Sequence, residues 1–192
     1  RFALQVFDYG APVGYRLAMT NPEKITGIIS QNGNAYEEGL SDGWAILKKY
    51  WDDPSEANRN ALRSPDNAAA IQWQYFTGAP AKSLVAPESY TLDQVFMDRK
   101  DNAEIQLDLF RDYATNLALY PAFQEYFRKN QPPLLAVWGD KDPYFIPPGA
   151  KAFKRDLPNA TVKFYDAGHF ALETHVQEIG QDILDFLGKL SN

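Results

Sequence analysis

A chain of 192 residues, 45% of them hydrophobic, has the material for one domain with a sizeable core. Its net charge of −6, with no basic cluster, argues against nucleic acid and anionic membrane surfaces as partners. The absence of cysteine removes disulfides, thiolate catalysis and Cys-based zinc sites. Two histidines, His169 and His175, are too few for a multi-histidine metal site.

In chain order, Phe2 to Phe7 is an apolar run expected to be a buried strand, and a chain that opens on a core strand is expected to have further strands before it. Residues 14–21 are expected to be a helix that stops before Pro22. The β-branched run 25–30 is a second strand, and Gln31-Asn32-Gly33-Asn34 carries turn chemistry. Strand signals then vanish. Helical periods appear at 43–51, 55–63, 68–76, 103–116 and 122–129, punctuated by prolines, with 78–92 expected to be loop. A third strand is predicted over 133–138, a helix over 149–157, a fourth strand over 161–165 and a long closing helix over 173–190. The alternation predicts an α/β fold, a doubly wound and mostly parallel sheet interrupted by a helical insertion. Aromatics make up 14% of the chain, a supply suited to a pocket for a small apolar organic molecule. No run of about 18 apolar residues marks a membrane span. No signal-peptide pattern appears, so the default location is cytoplasmic. The pattern sets no oligomeric state.

Three polar residues follow three of these strands: Asp8, Asp142 and His169. Ligands of open α/β sheets bind outside the carboxyl ends of the strands. Each residue has a plainer reading: Asp8 as a helix N-cap, Asp142 as a turn former before Pro143, and His169 as a surface loop residue. Asp140 competes with Asp142 for an acid's role, while His175 and Glu173 read as ordinary residues of the closing helix.

The strand that breaks at Val6-Phe7-Asp8-Tyr9-Gly10, with a helix behind it, resembles the nucleophile elbow of α/β-hydrolases. The order nucleophile, acid, histidine is also that of this superfamily. With aspartate at the apex, the whole chain resembles the C-terminal two-thirds of the aspartate-nucleophile members, the haloalkane dehalogenases and epoxide hydrolases. The resemblance implies core segments at 1–34 and 132–192 and a helical cap at 35–131. It implies Asp8 as nucleophile, His169 as base and Asp142, the second acid of Gly139-Asp140-Lys141-Asp142, as the acid orienting it. Tyr9 would supply a backbone N–H to the oxyanion hole, with a second donor expected upstream of residue 1. No metal or organic cofactor is implied.

An aspartate, with an ordinary pKa of roughly 3.9, is already ionised at neutral pH. It can attack sp³ carbon without a base and leave an alkyl ester, which a His-activated water then cleaves. The reaction itself stays open. Val6 is common in dehalogenases, which leans the reading that way, but both families place Trp where Tyr9 stands. Candidates for the pocket are Trp44, Tyr113, Asn116 and Tyr120, with Trp51 and Trp73 as further possibilities. Two alternatives use different chemistry: an ester or lactone hydrolase with Asp8 as general base, and a catalytically silent binding protein on the same fold.

Overall fold

The computed structural model describes residues 1–190. Its sheet has four parallel strands in the order β1 (Phe2–Phe7), β2 (Ile25–Gln31), β3 (Leu134–Gly139) and β4 (Thr161–Tyr165). Because side chains alternate across a strand, the apolar runs serve two cores at once. Val6, Ile28, Leu134, Ala136 and Trp138 face one side, against α1 (Gly10–Thr20) and a later helix, Pro147–Asp156. Ile29, Leu135 and Val137 face the other, against the closing helix. All six residues of β3 are buried, as expected of a strand covered on both faces.

The insertion between β2 and β3 contains α2 (Ala45–Asp52), α3 (Glu56–Ala61), α4 (Asn67–Phe76), α5 (Pro87–Met97), α6 (Asn102–Asp112) and α7 (Ala114–Asn130). The segment expected to be loop over 78–92 is corrected here. Pro87 takes the first helical position, where its missing N–H costs nothing, and α5 runs from it. A second correction concerns α7, which runs through Pro121 rather than stopping short of it. The helix ends at Gln131, in a left-handed conformation ahead of Pro132 and Pro133. After β3 come α8 (Pro147–Asp156), α9 (Ala171–Thr174) and α10 (Val176–Leu190). The closing helix is therefore broken at His175, whose non-helical backbone separates the turn that follows His169 from the long amphipathic α10. No helix among the described residues is long and apolar enough to cross a membrane.

The register sets up the site. Phe7 pairs with Gln31, Gln31 with Val137, and Gly139 with Tyr165, so the residues just past the four strands emerge along one edge. Close packing holds α1 against this edge. A Cβ at Gly14 would collide with the Val6 side chain, and the Tyr15 hydroxyl donates to the Gly33 carbonyl at 2.8 Å.

A polar lock ties the insertion to the sheet. Asp156, 3% exposed at the end of α8, accepts a hydrogen bond from the Tyr36 hydroxyl at 2.9 Å. It also accepts one from the Arg128 guanidinium at 2.7 Å. Removing the carboxylate strands a buried phenol, while Arg128 is half exposed and can turn to water. Asp156→Ala is expected to cost about 2 kcal/mol and lower the melting temperature by about 6 °C, checked by thermal unfolding.

Candidate active site

Asp8 sits at the apex between β1 and α1 with φ of 45°, in the left-handed region that Asp tolerates better than other side chains. Its main-chain carbonyl accepts from Ala11 N–H at 3.0 Å, which closes the turn. Its carboxylate caps no helix. The side chain, 29% exposed, points to His169, whose Nε2 lies 3.4 Å from Asp8 Oδ1. His169 and Asp142 are each 3% exposed, and His169 Nδ1 donates to Asp142 Oδ2 at 2.8 Å. The other oxygen, Asp142 Oδ1, accepts the backbone N–H groups of Tyr144 at 2.8 Å and Phe145 at 3.1 Å. Asp140 is exposed, and it is Asp142 that lies against the histidine.

The electrostatics of His169 follow from this geometry. Burial opposes its positive charge, but hydrogen bonds and Coulomb attraction from Asp142 and Asp8 more than offset that, lifting its pKa to about 9. Aromatic rings enclose the imidazole. Phe7 lies 4.7 Å away and Phe170 5.2 Å, and Tyr144 meets it edge-on at 5.3 Å.

A cavity of about 610 Å³ opens over Asp8 and His169. Trp44 and Tyr113 line it, together with Tyr9, Tyr144, Gln74 and Gln106. Burial, and for all three the charge of Asp8, raises the hydroxyl pKa values of Tyr9, Tyr113 and Tyr144, so these phenols stay protonated. The Tyr9 backbone N–H has no acceptor among the described residues, as an oxyanion donor requires. The Trp44 indole N–H donates to the Tyr144 carbonyl at 2.9 Å and that of Trp51 to the Phe110 carbonyl at 2.7 Å. Trp73 is exposed.

Two expected pocket residues lie elsewhere. Asn116 and Tyr120 are buried but do not line the cavity. They follow Tyr113 on one stripe of α7 and lie behind it, where the Tyr120 hydroxyl accepts from Asn34 Nδ2 at 3.3 Å and interacts with the Tyr113 hydroxyl. Sequence reasoning missed Tyr144, Gln74, Gln106 and, above all, Asn32. Asn32 is fully buried just past β2 with φ of 44°. Its Nδ2 donates to Asp142 Oδ2 at 2.7 Å while its Oδ1 accepts from Gly139 N–H at 3.1 Å. It therefore fixes the oxygen that also holds His169. The signal available was its place at a strand end beside the two acids, which the turn reading of 31–34 concealed. Asn32→Ala removes a hydrogen bond to a buried carboxylate, worth about 1.5–3 kcal/mol. It is expected to lower kcat about 10- to 100-fold with little change in KM, read from steady-state kinetics.

Comparison with known proteins gives a consistent picture. Residues 1–176 match the family described as alpha/beta hydrolase fold. Over 194 aligned residues the chain is 45% identical to "Uncharacterized hydrolase YNR064C" of Saccharomyces cerevisiae, covering 98% of this chain and 67% of that protein. Among solved structures, Cfl2 from Burkholderia cenocepacia superposes with a TM-score of 0.74 at 19% identity, over 97% of this chain and 65% of Cfl2. Epoxide hydrolase VrEH1 from Vigna radiata superposes with a TM-score of 0.67 at 21% identity, over 98% of this chain and 69% of that one. This chain thus spans a little under two-thirds of Cfl2. The parallel sheet, the turn that carries Asp8 and the match over residues 1–176 together place the chain in the alpha/beta hydrolase fold family.

Proposed function

We propose that the protein is a hydrolase that opens epoxides through a covalent ester on Asp8. The observation that carries this reading is the donor set around Asp8. A departing epoxide oxygen needs a proton, and three protonated phenols line the cavity. A departing halide needs no proton, only hydrogen-bond donors, and the indole N–H groups of Trp44 and Trp51 that could serve it are held by backbone carbonyls. The lean to dehalogenation from Val6 is therefore outweighed, and carbon–halogen cleavage becomes the second reading. The name of VrEH1, an epoxide hydrolase, supports the first, while that of YNR064C, a hydrolase, fits both.

In the first step an Asp8 oxygen attacks an epoxide carbon, the carbon–oxygen bond breaks, and Tyr113, which comes from the insertion and faces Asp8, protonates the released oxygen. In the second step His169 takes a proton from water, and the hydroxide attacks the ester carbonyl. The bond between that carbonyl carbon and the alkyl oxygen breaks, and the diol leaves with the proton from His169. The water oxygen stays on Asp8, and the second proton returns to Tyr113 through solvent. Asp142, fixed by Asn32, holds the imidazole in place.

Two measurements test this. In H₂¹⁸O, a single turnover with enzyme in excess is expected to yield unlabelled diol, because its new oxygen comes from Asp8. Labelled diol in that first turnover means that water attacked directly, with Asp8 or His169 as general base, and overturns the ester. Tyr113→Phe is expected to slow ring opening about 100-fold; an unchanged rate moves the acid's role to Tyr9 or Tyr144.

A further inference from the structure

A second cavity of about 570 Å³ lies inside the helical insertion, between α4, α5 and α6. It is not a separate site. Leu62, Gln74, Gln106, Phe110 and Phe170 line both it and the cavity over Asp8, so these five residues form a shared partition. Beyond the partition, Ile71, Met97, Leu107 and the partly exposed Phe96 form an apolar wall, while Arg63, Ser64, Asn67 and Asp93 form a polar one. One side of the partition is held firmly, since the Phe170 ring stacks on Tyr75 at 3.9 Å and 5°. The two glutamines are not: the Gln74 and Gln106 amides make no hydrogen bond among the described residues, so no such bond pins them across the passage. Small epoxides of a few carbons would fill only part of the first cavity. The polar groups of the second are engaged with one another or with neighbours, Tyr75 donating to Asp93, Arg63 pairing with Glu104 and Asn67 bonding Asp98, and its continuity with the first gives it an occupant.

We propose that the second chamber is a tail-binding extension of the active site, entered past Gln74 and Gln106, and that the substrates are long-chain aliphatic molecules whose reactive carbon sits at Asp8. The claim of a long-chain epoxide rests on the proposed function above, whereas the claim of a chain-binding chamber stands on the geometry. The reactive end occupies the cavity over Asp8, and the alkyl tail passes between the two amides to lie against Ile71, Phe96 and Leu107. This replaces the small apolar substrate expected from the sequence with an elongated one.

The test measures binding, so it does not depend on the chemistry at Asp8. Hexane-1,2-diol and tetradecane-1,2-diol, both unreactive, are titrated into the natural protein by calorimetry. Burying a methylene strengthens binding by about fourfold at best, so eight more are expected to tighten binding at least about 100-fold. Ala70→Trp and Ala103→Trp fill the second chamber from α4 and α6 without touching the first. Each is expected to abolish most of the chain-length gain while leaving the affinity for hexane-1,2-diol unchanged, which also certifies its fold. If one variant loses affinity for the short diol, the other decides. No gain with chain length in the natural protein, or a gain that survives the filling of the chamber, overturns the proposal. A chain-length gain abolished by filling, in a protein that turns over no epoxide, leaves the chamber in place and removes only the proposed reaction.

Discussion

Asp8→Asn is expected to abolish turnover, lowering kcat by about 10⁴-fold or more, and to prevent any covalent adduct from forming. The substitution is chosen because it isolates charge. Asn tolerates the left-handed backbone that the apex requires, where φ is 45°, while Ala would add backbone strain to the loss of the nucleophile. The amide keeps the shape of the carboxylate and its place near His169 Nε2, so fold and substrate affinity should survive. A carboxylamide is too weak a nucleophile to open an epoxide or displace a halide. The expected result is a protein with unaltered melting and product binding and no measurable chemistry. A variant that keeps a tenth or more of wild-type kcat would mean that Asp8 is an elbow residue and not the attacking group, which moves the attack to water activated by His169.

The sheet was legible because its strands are short apolar runs that end on polar residues, and parallel pairing brings such ends to one edge. Asp8, Asp142 and His169 meet there at 2.8 and 3.4 Å for the reason that made them visible: each follows the carboxyl end of a parallel strand within a few residues. Asn32 obeys the same rule, yet it was hidden. An Asn-Gly pair advertises a turn, and nothing local says that its side chain bonds a residue 110 positions away. A search of every strand end for a buried polar partner, irrespective of turn chemistry, would have found it.

The helical insertion was less legible for a different reason. Periodicity shows which face of a helix is covered, but not what covers it. Tyr113 and Tyr120 share one buried stripe of α7, yet Tyr113 meets the cavity and Tyr120 meets Asn34. Their hydroxyls interact with each other, so only packing decides which of the two meets the cavity. Indole donors pose the same problem. Trp44 lines the cavity, but whether its N–H is free depends on a backbone carbonyl 100 residues later. The proposed choice of epoxide over halide chemistry rests on such long-range bonds, which is why the sequence leaves it open.

His169→Gln is expected to stop the reaction halfway, leaving the ester on Asp8. Attack needs only the carboxylate and an acid for the leaving oxygen, whereas ester cleavage needs a base, and His169 Nε2 is the base within reach. Incubation with an epoxide should consume one equivalent into the ester, without releasing diol, and then stall, with turnover at least about 10³-fold below wild type. The peptide bearing Asp8 should gain the full mass of the epoxide, because ring opening keeps the oxygen; from a haloalkane it should gain the alkyl group alone. In the wild type the same step governs pH dependence. The free protein holds His169 protonated up to about pH 9 because two carboxylates flank it. Esterification neutralises Asp8, so one of those carboxylates loses its charge while burial still opposes protonation. The imidazole therefore becomes a neutral base at lower pH when the ester is waiting. The kcat profile should rise with pH through a pKa below 9, while His169 of the resting protein titrates near 9 by NMR. Stability should show the converse sign. The raised pKa stabilises the fold below the ordinary histidine value of 6.5, and this contribution is lost as pH climbs through about 9. A mutant that turns over at the wild-type rate with no adduct on Asp8 would contradict both halves of the mechanism.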